Sequence, residues 1–492
     1  MQVKNGSRTE KNGWICITIS GNPYERGFAY GELIAAELIN IFAMLEEVMF
    51  QEYGYSLEMF RDIAGAFFGP QVKNNHIEYL NELKGITDGA NKGGAKLTLD
   101  DIIFWNCFVS IDSLMSTMST TIKTDKKIFS KYGHLFQDES GAPGGHSEGG
   151  GVGGGDHCTG FMAVGSYTSD GKIVCGHNTF DNFITGQYFN VILDITPDKG
   201  ARILMQTAPG NIASGTDFYV TSNGFMCLET TIGGFNKFEL KDPIFCRIRK
   251  AMQYGTTLDE IAKHLTTNNS GDYANSWLIG DTNNNIIMRV ELGLKYVNIE
   301  KKTDGFFIGY NGADDPRIRN LECSNVGYFD MRRHQGARKV RLGQLMEEHK
   351  GKIDVNIGQD IMADHYDVYL EKINPCSRTC CSHYELDNRA FMSDPSRPKP
   401  FQPRGALDGK VCDSDLTKRM SFMARWGSSC GTPFDKTAFC KKNTIWNIQE
   451  PFLHNRPKQP WTEFSISHKP HNNENKISKR RHIKKHNTTK KK

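Results

Sequence analysis

Cys158 follows the glycine-rich tract Gly144 to Gly155 and the pair Asp156-His157, and opens strand-like sequence that runs on to Gly176-His177-Asn178-Thr179-Phe180-Asp181. Most cysteines in a long chain are small buried hydrophobes. This one stands where a linker meets a strand, which suggests a nucleophile made by cutting the chain. A break between His157 and Cys158 would leave a thiol and an α-amine on one residue. That amine titrates near about 7.7 to 8.0, so around neutral pH enough of it is unprotonated to take the thiol proton, directly or through water. One residue then supplies both nucleophile and base.

Other clusters invite chemistry and have blander readings. The glycine tract lacks the Gly-Lys-Ser/Thr ending and following helix of a phosphate-binding loop, so it reads as a protease-accessible connector. The segment Cys376-Ser377-Arg378-Thr379-Cys380-Cys381-Ser382-His383 has thiolate and imidazole donors suited to zinc. The second half of a tetrahedral set is absent at any standard spacing, so no metal is expected, and no cofactor. The basic residues from Lys476 to Lys492 read as a solvated tail, with peripheral binding to acidic lipid, binding to nucleic acid, or a role as an address, as the alternatives.

The elements that must position Cys158 are legible in outline. Trp14 to Ile19 is a β-rich run closed by Gly21-Asn22-Pro23, after which Phe28, Leu33, Ile34, Leu38, Ile41, Phe42, Leu45 and Val48 recur at helical spacing. A second helix carries Ile77, Leu80 and Leu83. A third opens at Thr98, with Asp101 in capping-box position. After Cys158 the pattern becomes strands joined by tight turns, with Asp170-Gly171 and Asn223-Gly224 as hairpin signals. Trp277 to Gly280 and Ile286 to Glu291 pair across an asparagine-rich turn, Leu258 to Leu265 reads as a helix, helix-like sequence returns at Ala337 to His349, and Val355 to Val368 is ambiguous.

Composition narrows the function classes. The 492 residues are 38% hydrophobic and 24% charged, ordinary for a folded protein. Much of the net charge of +4 sits in the tail, so the body is near neutral and no nucleic-acid surface is expected on it. No apolar run reaches the roughly 18 residues of a membrane span. Met1 to Gly13 is polar and lacks the apolar centre of a secretory signal, so export is not announced. Thirteen cysteines scattered through a long chain do not form a small disulfide framework.

Taken together, Cys158-Thr159, the downstream hairpin and His177-Asn178-Thr179-Phe180 resemble the N-terminal-nucleophile (Ntn) hydrolases, in particular the phospholipase B-like proteins and the isopenicillin N acyltransferase group. Gly21-Asn22-Pro23-Tyr24-Glu25-Arg26-Gly27 and Glu82-Leu83-Lys84-Gly85-Ile86-Thr87-Asp88-Gly89-Ala90 are similar to two blocks of the acyltransferase group. Tyr273-Ala274-Asn275-Ser276-Trp277 and Gly405-Ala406-Leu407-Asp408-Gly409-Lys410-Val411 are similar to phospholipase B-like segments. The resemblance implies an α+β, four-layer αββα Ntn-hydrolase sandwich and a self-cleaving precursor. Its parts would be a mainly helical N-terminal segment (1–130), a linker to the cleavage site (131–157), a catalytic region (158–464) and a basic tail (465–492).

Residue roles follow from the resemblance joined to the chemistry. Cys158 would attack the His157 carbonyl to cut the chain, then serve as nucleophile in turnover, with Asn275 donating to the oxyanion. His177 would orient the α-amine or hold substrate; a structural histidine at a strand end is the competing reading. Asn178, Phe180 and Thr230 would bind substrate, Phe180 standing where the phospholipase B-like pattern carries tryptophan. A guanidinium is expected from Arg317 or Arg319, and Asp181 is secondary. Cysteine-histidine segments like 376–383 occur in the acyltransferase group with no metal role implied. The implied substrate is an acyl lipid ester or an N-acyl amide, with acyl transfer to an amine, or an uncleaved lipid-binding pseudoenzyme, as alternatives. Phospholipase B-like proteins are typically lysosomal or secreted, which the polar N-terminus does not support.

Overall fold

The computed structural model describes residues 1–136, 158–324, 327–388 and 401–466. The glycine tract with His157, and the basic tail, lie outside them. The chain opens with strands β1 (Gln2–Val3), β2 (Gly6–Lys11) and β3 (Trp14–Gly21), followed by helices α1 (Pro23–Leu33), α2 (Ala35–Tyr53), α3 (Leu57–Asn75), α4 (Ile77–Lys92) and α5 (Leu99–Asn106). The single long helix expected after Pro23 is broken at Ile34, the shared cap of α1 and α2. The Asn22 side chain accepts from the Glu25 N–H while Glu25 reaches back, and Thr98 with Asp101 does the same at α5, so both capping boxes form.

Strands then follow as β4 (Cys158–Val164), β5 (Val174–Asn182), β6 (Val191–Pro197), β7 (Ile203–Thr207), β8 (Phe218–Thr221), β9 (Phe225–Thr231), β10 (Asn275–Asp281), β11 (Ile286–Leu292), β12 (Val297–Lys302) and β13 (Gly305–Gly309). The last are β14 (Tyr366–Asp367), β15 (Lys372–Ile373), β16 (Arg404–Ala406), β17 (Asp408–Asp413), β18 (Ser421–Trp426) and β19 (Thr462–Ser465). A ten-stranded sheet runs β1-β2-β3-β6-β7-β8-β9-β10-β11-β12, and a seven-stranded sheet runs β13-β4-β5-β17-β18-β19 with β16 beside β5. The architecture is mixed α+β, and neither sheet closes into a barrel among the described residues.

The sheets face each other where β4 packs on β9, β10 and β11. Helices cover their outer faces: α1 lies on β3 and the helix Ile244–Tyr254 on β8, while Val355–Met362 lies on β5 and β17. Covered on both sides, β4, β7, β9 and β10 are buried along their whole length, whereas the edge strand β12 is not. One hydrophobic core includes Trp14, Phe104, Met162, Trp277 and Phe464, so the N-terminal helices share it with the strands after Cys158. No described helix is long and apolar enough to cross a membrane.

The two N-terminal sequence blocks meet as the α1–α4 pair. A Cβ on Gly27 would lie 2.1 Å from the Glu82 carbonyl oxygen, on Gly31 2.1 Å from that of Ile86, and on Gly89 2.1 Å from that of Phe28. Backbone therefore touches backbone, and any side chain there forces the helices apart. The same contact buries Glu82 between two guanidiniums: Arg26 Nε donates to Oε2 at 2.7 Å, and Arg249 donates to both oxygens at 3.2 Å. Glu82→Ala would leave both cations buried with less compensation. A loss of about 3–5 kcal/mol is expected, read as a lower denaturant midpoint.

Candidate functional site

Cys158 is the first residue of β4, and the β4–β5 register sets Cys158 opposite Thr179 and Gly160 opposite His177. Because strand side chains alternate, Cys158 and His177 share one face while Asn178 and Phe180 take the other. Lys410 of β17 stands opposite His177 and so joins the Cys158 face. Its ammonium donates to Thr179 Oγ1 at 2.6 Å and pairs with Asp408 at 2.9 Å, fully buried. Burial pulls its pKa down, yet it remains the cation nearest in charge effect to the Cys158 thiol.

The Cys158 backbone is held by Asn311 and Arg338 at its N–H and its carbonyl. Its N–H donates to Asn311 Oδ1 at 3.4 Å, its carbonyl accepts from Arg338 at 2.5 Å, and Arg338 also donates to Asn311 Oδ1 at 2.9 Å and to Thr159 Oγ1 at 2.8 Å. Asn311, at φ 64°, donates in turn to the Thr231 carbonyl at 2.9 Å. The guanidinium beside Cys158 is thus Arg338, from the helix His334–Glu348. Arg317 pairs with Asp315, and Arg319 donates to the Ala313 and Asp314 carbonyls, because a short helix after Pro316 directs both elsewhere.

The Cys158 sulfur lies 3.8 Å from Glu229 Oε1. β8 begins only at Phe218, opposite Leu228, so Glu229 extends past the end of its neighbour toward Tyr273 and Asp217. Asn275, opposite Thr231 at the start of β10, faces the same way as Glu229. Thr230 faces the other way, over Gly309, where a Cβ would lie 2.4 Å from its methyl group. Both polar side-chain atoms of Asn275 are buried with no hydrogen-bond partner among the described residues, as are Thr230 Oγ1 and His177 Nδ1. Asn178, by contrast, donates to the Met362 and Cys380 carbonyls at 2.8 and 2.9 Å and braces a loop.

Burial governs the titration here. His177 Nε2 sits 2.8 Å from the Glu229 carbonyl, which requires the proton on Nε2 and leaves Nδ1 bare. Burial, and then Lys410, hold its pKa well below the usual value, so the ring is neutral. Burial, then Glu229 and Asp217, push the Cys158 thiol well up. Burial lifts Asp217 to about 6, and burial with the Asp217 charge lifts Glu229 further. Two carboxyls this close share protons.

A stability consequence follows from that pair. Above about pH 4 the unfolded chain releases both protons while the native chain keeps them, so the native state binds more and stability falls as pH rises. The decline runs from about pH 4 through the Asp217 value of about 6 and beyond. Asp217→Asn removes one titrating group and the repulsion on Glu229, so its melting temperature is expected to fall less steeply over that interval than the parent's.

A largely apolar cleft, lined in part by Asp217, lies beside this carboxyl pair. Trp105, Phe108, Phe189, Ile244, Phe245 and Ile248 form its walls, and Asp217 and Tyr273 stand at its polar end. α5 and the turn after it therefore build one side of a cleft whose other side comes from beyond Cys158. Separately, behind β5, His365, Cys381, His383 and Cys430 bring donor atoms within 4.8 Å of one another. The second pair of donors missing near Cys381 and His383 at standard sequence spacing is thus offered by His365 and Cys430.

Glu229, Tyr273, Asn311, Arg338 and Lys410 received no role from sequence. Glu229 adjoins Thr230, Tyr273 opens the segment containing Asn275, and Lys410 lies within the Gly405–Val411 segment, so three had a signal nearby. Arg338, inside a helix, had none.

A family model described as phospholipase B matches residues 67–299, which include Cys158, His177, Glu229 and Asn275. A phospholipase B of Crotalus adamanteus is 24% identical over 450 residues, covering 82% of this chain and 75% of that protein. Phospholipase B-like 1 of Homo sapiens is 23% identical over 384 residues, 71% of this chain and 63% of that protein. An uncharacterized protein of Archaeoglobus fulgidus is 24% identical over 205 residues, and the chain spans only 30% of its length.

Proposed function

Starting from kinship with the phospholipase B-like family, supported by the family model and these relatives, we propose that the chain is an Ntn hydrolase that deacylates lipids through Cys158. The observation that carries the reading is the Asn275 amide, buried and unpaired among the described residues on the face shared with Glu229, 3.8 Å from whose carboxyl lies the Cys158 sulfur. A buried amide without a partner costs free energy unless something transient uses it. The facing sheets with helices outside them support the αββα layering that such an enzyme requires.

In maturation the Cys158 thiol adds to the His157 carbonyl, the C–N bond breaks, and the acyl group moves to sulfur as the amine takes the proton. Water then cleaves the thioester, giving a His157 carboxylate and a free Cys158. Asn311, which already accepts from the Cys158 nitrogen, would hold the new amine, and Arg338 beside it disfavours its protonation. In turnover the amine takes the thiol proton, sulfur attacks the acyl carbonyl, and Asn275 donates to the oxyanion. The leaving alcohol collects the proton, and water releases the fatty acid. The apolar cleft suits the acyl chain.

The test is N-terminal sequencing of the purified protein's fragments after denaturation, followed by assay of fatty-acid release from a diacyl phospholipid and an N-acyl amide. A fragment beginning at Cys158 and release from the phospholipid are expected. A single uncut chain that releases neither would overturn the proposal.

A further inference from the structure

The four donors behind β5 come from three stretches. His365 lies between the helix Val355–Met362 and β14, Cys381 and His383 between β15 and β16, and Cys430 in the turn after β18. We propose that His365, Cys381, His383 and Cys430 bind one zinc ion as a closed structural site. Two thiolates and two imidazoles form the donor set that suits zinc, in a tetrahedron whose edges, for bonds of about 2.0 and 2.3 Å, run about 3.3–3.8 Å. His383 Nε2 lies 3.3 Å from the Cys381 sulfur and 3.4 Å from the Cys430 sulfur, already edge lengths of that figure. The rings of His365 and His383 stand 5.1 Å apart between centroids.

The surroundings are those of a metal site. His383 Nδ1 lies 2.7 Å from Glu385 Oε1, which fixes the tautomer with Nε2 free to coordinate. The Thr432 N–H donates to the Cys430 sulfur at 3.4 Å, and the Thr432 and Ser428 hydroxyls approach it at 3.1 and 3.4 Å. Such donors suit a thiolate. With four protein ligands the ion has no open position, so its role is to tie three irregular segments together. Phe180 and Ala406 pack on Cys381, and the Phe180 ring lies 5.1 Å from the Arg338 guanidinium that holds the Cys158 carbonyl. The ion would therefore brace the back of the nucleophile's strand pair, whichever reaction that strand serves.

The full chain, purified without chelator, is expected to carry one zinc per molecule by plasma mass spectrometry. Exchange with Co(II) should give a tetrahedral, thiolate-ligated spectrum. Glu385→Gln should keep the fold while weakening zinc about 10–100-fold, measured by competition with a chelator. Cys430→Ser should abolish the cobalt spectrum. Because that variant could fail to fold, alkylation of the parent is the second measurement: Cys381 and Cys430 should resist modification until a chelator is added. A Cys381–Cys430 disulfide in a non-reduced digest, alkylation of both thiols regardless of chelator, or an octahedral cobalt spectrum would overturn the proposal.

Discussion

Cys158→Ala is expected to leave one uncut chain under denaturing conditions and to lower fatty-acid release at least about a thousandfold. Alanine has neither the thiol that starts the N-to-S shift nor the sulfur that accepts an acyl group. The fold has little reason to suffer, since the sulfur reaches Glu229 only at 3.8 Å, while the backbone bonds to Asn311 and Arg338 do not involve the side chain. Melting temperature within a few degrees of the parent's, alongside lost processing, separates chemistry from folding. Efficient cutting in the variant would remove Cys158 from the mechanism.

Asn275→Ala is the second large expectation, a fall in kcat of about 10²–10³ with KM little changed. An interaction made only in the transition state lowers kcat without weakening ground-state binding. Both amide atoms of Asn275 are unpaired among the described residues, so its removal breaks no hydrogen bond among them and stability should hold. Asn311 is the useful contrast: its side chain joins the Cys158 N–H, Arg338 and the Thr231 carbonyl, so Asn311→Ala should destabilise as well as inactivate. Equal destabilisation by the two variants would assign Asn275 a structural part.

The sequence made local structure legible where local rules act. The capping box at Thr98, the helix Leu258–Thr266 capped by Thr257, and the β8–β9 and β10–β11 pairs are decided by residues within a few positions of one another. The helix α3 is not legible in the sequence, since Gly65, Gly69 and an internal Pro70 disguise its periodicity while Phe60, Ile63, Phe67 and Phe68 supply its buried face. At the candidate site, residue type and motif nominate Cys158, His177 and Asn275, but which candidates share a face is decided by strand register. Neighbouring strand residues look in opposite directions, so His177 and Asn178 cannot both face Cys158. Arg338 shows a different limit. Its partners lie far away in sequence, and only the packing of the helix His334–Glu348 brings it to them.

The parallel pairing of β3 with β6 bears on how a cut molecule would behave. β3 belongs to the N-terminal part and lies in the interior of the ten-stranded sheet, bonded to β2 on one side and along its length to β6 on the other. Severing the chain before Cys158 would leave that seam and the shared core untouched. The two pieces would therefore travel as one particle through gel filtration and keep one cooperative melt, invisible to any method that does not first unfold them. Such a cut would change covalent connectivity without changing hydrodynamic size.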